Sequence, residues 1–180
     1  MSFRRTLSRL IGLEETLTHL ESGAMAPGFT LKSHSGSQFR LLTLLEKGPV
    51  VLAFFKVSCP VCQFTFPFLQ RMHERFANAA ASIIGVSQDD ARDTKDFCSE
   101  YGVKFPVLLD DSGYPVSNAY GLTNVPTVFL IEPDGKIKLA CTGFDRAGLE
   151  KVTAELEMRT KVPAKPLFQH DEIVPAYKPG

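Results

Sequence analysis

The order of its apolar segments predicts an α/β fold for this chain. Val50 to Phe55 (VVLAFF) is a continuous apolar run of strand length, and Ala81 to Ser87 (ASIIGVS) is a second. Runs of this kind suit strands covered on both faces, because a strand with one wet face would alternate instead. Segments with helical spacing lie between and after them. The chain therefore reads strand, helix, strand, helix, strand, then a hairpin and a last helix, which is an α/β order.

Each element has its own warrant. Near the start, Leu7, Leu10, Ile11, Leu13, Leu17 and Leu20 recur at helical spacing around Arg9, Glu14 and Glu15. That pattern predicts an amphipathic helix packed on the domain surface. The early arginines are not followed by the apolar stretch and small-residue cleavage site of a secretory signal. The adjacent glutamates argue against a presequence or membrane-surface helix. Glu21 to Gly28 reads as a linker, so 1–24 forms a helix plus linker, 25–160 the domain and 161–180 a proline-rich tail. Phe29 to Ser33 and Gln38 to Leu41 alternate around the His34 to Ser37 turn, as a hairpin does. Leu42 to Lys47 reads as a helical turn, and Gly48 and Pro49 open the first buried strand. Ser58 is the expected N-cap of a helix from Cys59 to Asn78, with Phe64, Phe68, Met72 and Phe76 along one stripe and a kink expected at Pro67.

After the second buried strand, Ala91 to Tyr101 predicts a helix closed by Gly102. Phe105 to Leu109 reads as a strand, Val116 to Tyr120 as a short helix ended by Gly121, and Thr127 to Ile131 as another strand. The Pro133, Asp134, Gly135 turn joins it to Lys136 to Cys141. Ala147 to Thr160 is the last helix, and the tail beyond it, with Phe168 and Tyr177, is expected to drape over the surface or form an interface.

Composition removes several function classes. The 180 residues are 44% hydrophobic and 22% charged, with 20 basic and 20 acidic side chains. That balance gives no basic excess for a nucleic-acid backbone or an anionic membrane. No apolar run approaches the roughly 18 residues that cross a bilayer. Four cysteines, Cys59, Cys62, Cys98 and Cys141, are too few for a disulfide scaffold of this length. A zinc site is not expected, because Cys98, Cys141, His19, His34, His73 and His170 form no second cluster at ligand spacing. The expectation is a cytoplasmic protein without cofactor or metal, whose close cysteine pair stays available as a thiol reagent.

That pair, Cys59–Pro60–Val61–Cys62, falls where a buried strand turns into a helix. Strand ends of this kind are where open α/β sheets place their chemistry. Cys59 is expected at the helix N-terminus, where unpaired N–H groups and the dipole stabilise a thiolate, the attacking species of disulfide exchange. Cys62 is expected one turn further in, within reach of a mixed disulfide at Cys59. Pro60 suits the first helical turn because the N–H it lacks has no intrahelical partner there.

With these pieces in order, the chain resembles the thioredoxin superfamily, in its TlpA-like and redoxin (AhpC/TSA-type) branches. The resemblance rests on the strand Val50 to Phe55, the CPVC motif, Pro67 five residues after Cys62, Tyr101 to Asp110 (YGVKFPVLLD), Asn124 to Leu130 (NVPTVFL) and the following PDG hairpin. It implies a thioredoxin-like fold with a central mixed sheet and helices on both faces. It also implies a cis bond between Val125 and Pro126 facing the cysteines. The Val125 backbone would then be open to a substrate segment by strand addition. Two departures stand out. Ser58 stands where thioredoxins usually carry tryptophan, and Ala53 where they carry a buried acid. Asp89 or Asp90 resembles the acidic helper of TlpA-like reductases, against a plainer role as loop start or N-cap. Lys56 could bias Cys59 electrostatically or simply face water.

The resemblance implies a thiol–disulfide oxidoreductase in which Cys59 attacks and Cys62 resolves. Its partners would be a protein or small-molecule disulfide and a thiol reductant. Two alternatives stay open. A peroxiredoxin-like antioxidant peroxidase would make Cys62 the peroxidatic residue, but Cys59 then replaces the expected threonine and no arginine stands near Val125 and Pro126. A redox-inactive module would use the same groove for a partner peptide. Cys98 and Cys141 read as buried fillers, with a resolving role for either as the alternative.

Overall fold

The computed structural model describes residues 20–180, so the amphipathic helix expected over the first twenty residues lies outside the described residues apart from Leu20. Short strands β1 (Thr30–Lys32) and β2 (Gln38–Arg40) form the expected hairpin, and α1 (Leu41–Leu45) follows directly. The central sheet holds β3 (Val50–Phe55), β4 (Ser82–Ser87), β5 (Val107–Leu109), β6 (Thr127–Ile131) and β7 (Ile137–Thr142) in the order β5-β4-β3-β6-β7. β3 runs parallel to β4, and β4 parallel to β5, while β6 is antiparallel to both β3 and β7. The sheet is therefore mixed, as expected.

Between the strands lie α2 (Pro60–Phe76), α3 (Ala91–Glu100) and α4 (Pro115–Ala119); α5 (Arg146–Thr160) follows β8 (Phe144–Asp145). β3 shows why its sequence is continuously apolar. Val51, Ala53 and Phe55 face one core with Phe66, Leu69 and Met72 of α2, Phe97 of α3 and Leu149, Val152 and Leu156 of α5. Val50, Leu52 and Phe54 face the other, with Leu41 and Leu44 of α1 and Val116 of α4. Helices thus cover both faces, and no side of the strand is left for a polar residue. None of the described helices is long and apolar enough to cross a membrane.

Two stretches without regular structure are held more firmly than their composition suggests. The segment read as a linker is tied to the β6–β7 hairpin: Gly23 N–H donates to Ile137 at 2.8 Å, Ala26 N–H to Gly135 at 2.9 Å, and Met25 bridges Lys136. The tail packs back onto α2, buries Leu167 and Phe168, and adds a strand β9 (Tyr177–Lys178) antiparallel to β8.

Candidate active site

β3 and α2 place the cysteine pair. β3 ends at Phe55 in the core, Lys56 to Ser58 turn the chain, and α2 starts at Pro60. Cys59 is the N-cap: its backbone is extended and its sulfur accepts the Cys62 N–H at 3.2 Å. This corrects the expectation for Ser58. The cap belongs to the residue directly before Pro60, and a cap sulfur there satisfies a helix-start N–H that would otherwise lack a partner. α2 runs on through Pro67 to Phe76.

The two thiols stand in different surroundings. Cys59 is half-buried, whereas Cys62 is fully enclosed. Burial raises the Cys62 pKa well above the ordinary thiol range. A hydrogen bond with Cys59 and the charge of Asp89 add to this, and a backbone hydrogen bond at Lys56 opposes it. Opposite the pair, the Val125–Pro126 bond is cis, as the resemblance implied. The Cys59 thiol donates to the Val125 carbonyl at 3.4 Å, so loop and motif face each other directly. The Val125 backbone is less open than expected. Gly180 lies against it, and an ideal Cβ there would sit 2.9 Å from the Val125 carbonyl carbon and 3.4 Å from the Pro126 nitrogen.

The neighbouring acids separate into two roles. Asp90 caps α3 by accepting the Asp93 N–H at 2.9 Å. Asp89 turns the other way and accepts the Val57 N–H at 2.7 Å, two residues before Cys59. Its own N–H donates to Ser87 Oγ at 3.1 Å, and the Thr94 hydroxyl donates to the same oxygen at 2.7 Å. A short polar network at the end of β4 thereby fixes the motif turn. Gln63 closes it from the helix side by donating to the Val57 carbonyl at 2.9 Å.

Lys56 places its ammonium 5.6 Å from the centre of the Tyr114 ring, an aromatic partner in place of open water. Ala53 is buried beneath the motif, so β3 supplies no carboxylate at that position. Cys98 and Cys141 are buried in the core that lies against α2, and burial pushes their thiols up to about 11 and about 12. A buried, protonated thiol of this kind is a poor nucleophile.

Residues 22–140 match the AhpC/TSA family, a family that carries the thioredoxin-like fold described above. This chain belongs to the AhpC/TSA family. It is similar to the thiol–disulfide oxidoreductase ResA of Bacillus subtilis, with 34% identity over 125 residues, 69% of each chain. Among solved structures it is similar to a thiol:disulfide interchange protein from a Bacteroides species, with TM-score 0.66, 25% identity, and 84% of this chain and 97% of that one covered. It is also similar to the peroxidoxin BcpB of Mycobacterium tuberculosis, with TM-score 0.68, 28% identity, and 78% and 98% covered.

Sequence reasoning located Cys59, Cys62, Val125, Pro126 and Asp89 at the places the structure brings together. It gave no role at the site to Gly180 or Lys178. Their contacts to α2 and to the cis-proline loop span more than fifty residues of sequence and leave no local pattern.

Proposed function

We infer that this protein is a thiol–disulfide oxidoreductase in which Cys59 attacks and Cys62 resolves. The observation that carries the reading is the asymmetry of the pair. One sulfur sits half-exposed at a helix start and faces a cis-proline loop; the other is sealed one turn inside. The Cys59 thiolate attacks one sulfur of a substrate disulfide. An S–S bond forms to Cys59, the substrate S–S bond breaks, and the departing thiolate takes a proton. Cys62 then loses its proton and attacks the Cys59 sulfur, which breaks the mixed disulfide and releases the second substrate thiol. Two electrons pass to the substrate, and the protein is left with a Cys59–Cys62 disulfide. In the cytoplasm we propose for it, a cellular dithiol reductant restores the pair.

Asp89 positions the reacting turn, and the Val125 backbone is where a peptide substrate pairs beside the disulfide. The raised Cys62 pKa supports the order of events, because a protonated inner thiol waits until the mixed disulfide forms next to it. The test is reduction of insulin by dithiothreitol. The protein accelerates it, and Cys59→Ser abolishes the acceleration. A Cys59→Ser variant that retains the full rate would overturn the assignment.

The likeness to BcpB supports one rival, peroxide reduction. In that reading Cys62 meets peroxide, and consumption of peroxide persists in Cys59→Ser and vanishes in Cys62→Ser. The enclosure of Cys62 argues against it.

A further inference from the structure

Residues 161–180 contain no helix, yet they are fastened along one stripe of α2, from its last turn to its first. Arg75 donates to the carbonyls of Pro163, at 2.8 Å, and Lys165, and pairs with Glu157. About one turn earlier, Arg71 donates to the Leu167 carbonyl at 2.7 Å and grips Glu172 at two points, 2.8 and 2.6 Å. Next on the stripe, Phe68 meets the buried Phe168 ring at 4.9 Å between centroids. A further turn toward Cys59, Phe64 lies under the Lys178 ammonium at 4.3 Å. The segment then reaches the cis-proline loop: Arg146 N–H holds the Ala176 carbonyl at 3.0 Å, β9 pairs with β8, and Gly180 rests on Val125 and Pro126.

We propose that residues 161–180 are a strap. Tyr177 to Gly180 fill the recognition face beside Val125, and a peptide disulfide gains Cys59 only when these residues lift away. The inference rests on the oxidoreductase reading for its substrate class. Its geometric ground is exclusion: the Val125 carbonyl faces both the Cys59 sulfur and Gly180, and an incoming peptide strand needs the volume that Gly180 holds. The two halves of the strap are held unequally. Two arginines and a buried phenylalanine fix 163–172, whereas 177–180 are held by a two-residue ladder, a cation–π contact and backbone packing on Gly143 and Val125. Between the halves Ile173 is fully exposed, while Val174 and Pro175 are half-buried. A loosely held stretch beside a firmly held base is what a displaceable cap requires. A small disulfide needs no strand pairing and does not require the cap to move.

The test uses the full chain with Lys178→Ala and Gly180→Leu combined. The first removes the cation–π contact; the second puts a side chain where the Val125 carbonyl already lies. Neither residue takes part in the exchange chemistry. The strap predicts that kcat/KM for insulin rises about 3- to 10-fold, through KM, while the rate with hydroxyethyl disulfide changes less than about twofold. Equal changes for both substrates, or none for insulin, overturn it. A readout independent of turnover is alkylation of Cys59 by a bulky polyethylene-glycol maleimide relative to iodoacetamide. That ratio rises in the double variant if the strap covers the site, and an unchanged ratio overturns the proposal. If the wild-type protein reduces neither disulfide, the oxidoreductase reading fails, and the alkylation ratio still decides the strap.

Discussion

Asp89 offers the sharpest perturbation of the site that leaves both cysteines in place. Its carboxylate accepts the Val57 N–H at 2.7 Å, and both residues are half-buried. A hydrogen bond to a charged acceptor contributes about 1.5–3 kcal/mol, and a neutral one about 0.5–1.5 kcal/mol. Asp89→Ala removes the acceptor and leaves the Val57 N–H to whatever water reaches it, so the expected loss is about 1.5–3 kcal/mol. Asp89→Asn keeps an acceptor and should lose about half as much. Urea unfolding of the reduced protein measures both. The turn that Asp89 holds delivers Cys59 to the helix start, so insulin reduction should fall on the order of 10-fold in the alanine variant and less in the asparagine variant, a graded pair typical of a lost positioning contact. An alanine variant within about 0.3 kcal/mol of wild type, with insulin reduction undiminished, would rule out Asp89 as the anchor of this turn.

Three further outcomes are expected. Glu172 is held down at about 2 by Arg71, against 4.5 for a free glutamate. The pair therefore stabilises the fold above pH 4.5 and ceases to do so as pH falls toward 2; both partners are part-exposed, so Glu172→Gln should cost at most about 1 kcal/mol at pH 7 and nothing at pH 2 in denaturant titrations. Cys62, Cys98 and Cys141 keep their protons in the fold above the ordinary thiol value of 9.0. The unfolded chain loses them first, so the stability of the reduced protein should hold steady below pH 9 and decline above it, and a thermal midpoint that rises from pH 9 to 10.5 would contradict the assignment. Phe66 meets Phe55 at 4.2 Å and Phe97 at 5.3 Å between ring centroids with no exposure. Phe66→Ala should cost about 3–5 kcal/mol in chemical denaturation, and a cost below about 1 kcal/mol would mean that this core is not packed as described.

Most of the scaffold is legible in the sequence, for physical reasons that also explain what is not. β3 and β6 fall on Val50–Phe55 and Thr127–Ile131, as the apolar runs predict, because every residue in them is buried and turn residues bound them. β5 is shorter than expected, since Phe105 packs in the core without joining the ladder. The sequence puts the cap one residue early because serine is the commoner capping type. A sulfur can take that place when it directly precedes proline in the first turn. Asp89 and Asp90 are indistinguishable as letters, and only the direction each side chain takes at the end of β4 separates the loop anchor from the cap. The tail defeats local reading altogether. Its partners on α2, Arg71 and Arg75, lie some ninety to a hundred residues upstream, and neither charge nor hydrophobic period connects them in advance.

In the proposed chemistry Cys59 forms the bond to substrate and Cys62 breaks it. Incubating Cys62→Ser with a disulfide-bonded peptide, then mapping the adduct by peptide mass spectrometry, tests it most directly. The expected product is a stable mixed disulfide on Cys59 that dithiothreitol releases. A Cys59→Ser protein that instead accumulates the adduct on Cys62, with none on Cys59 in the companion variant, would contradict it.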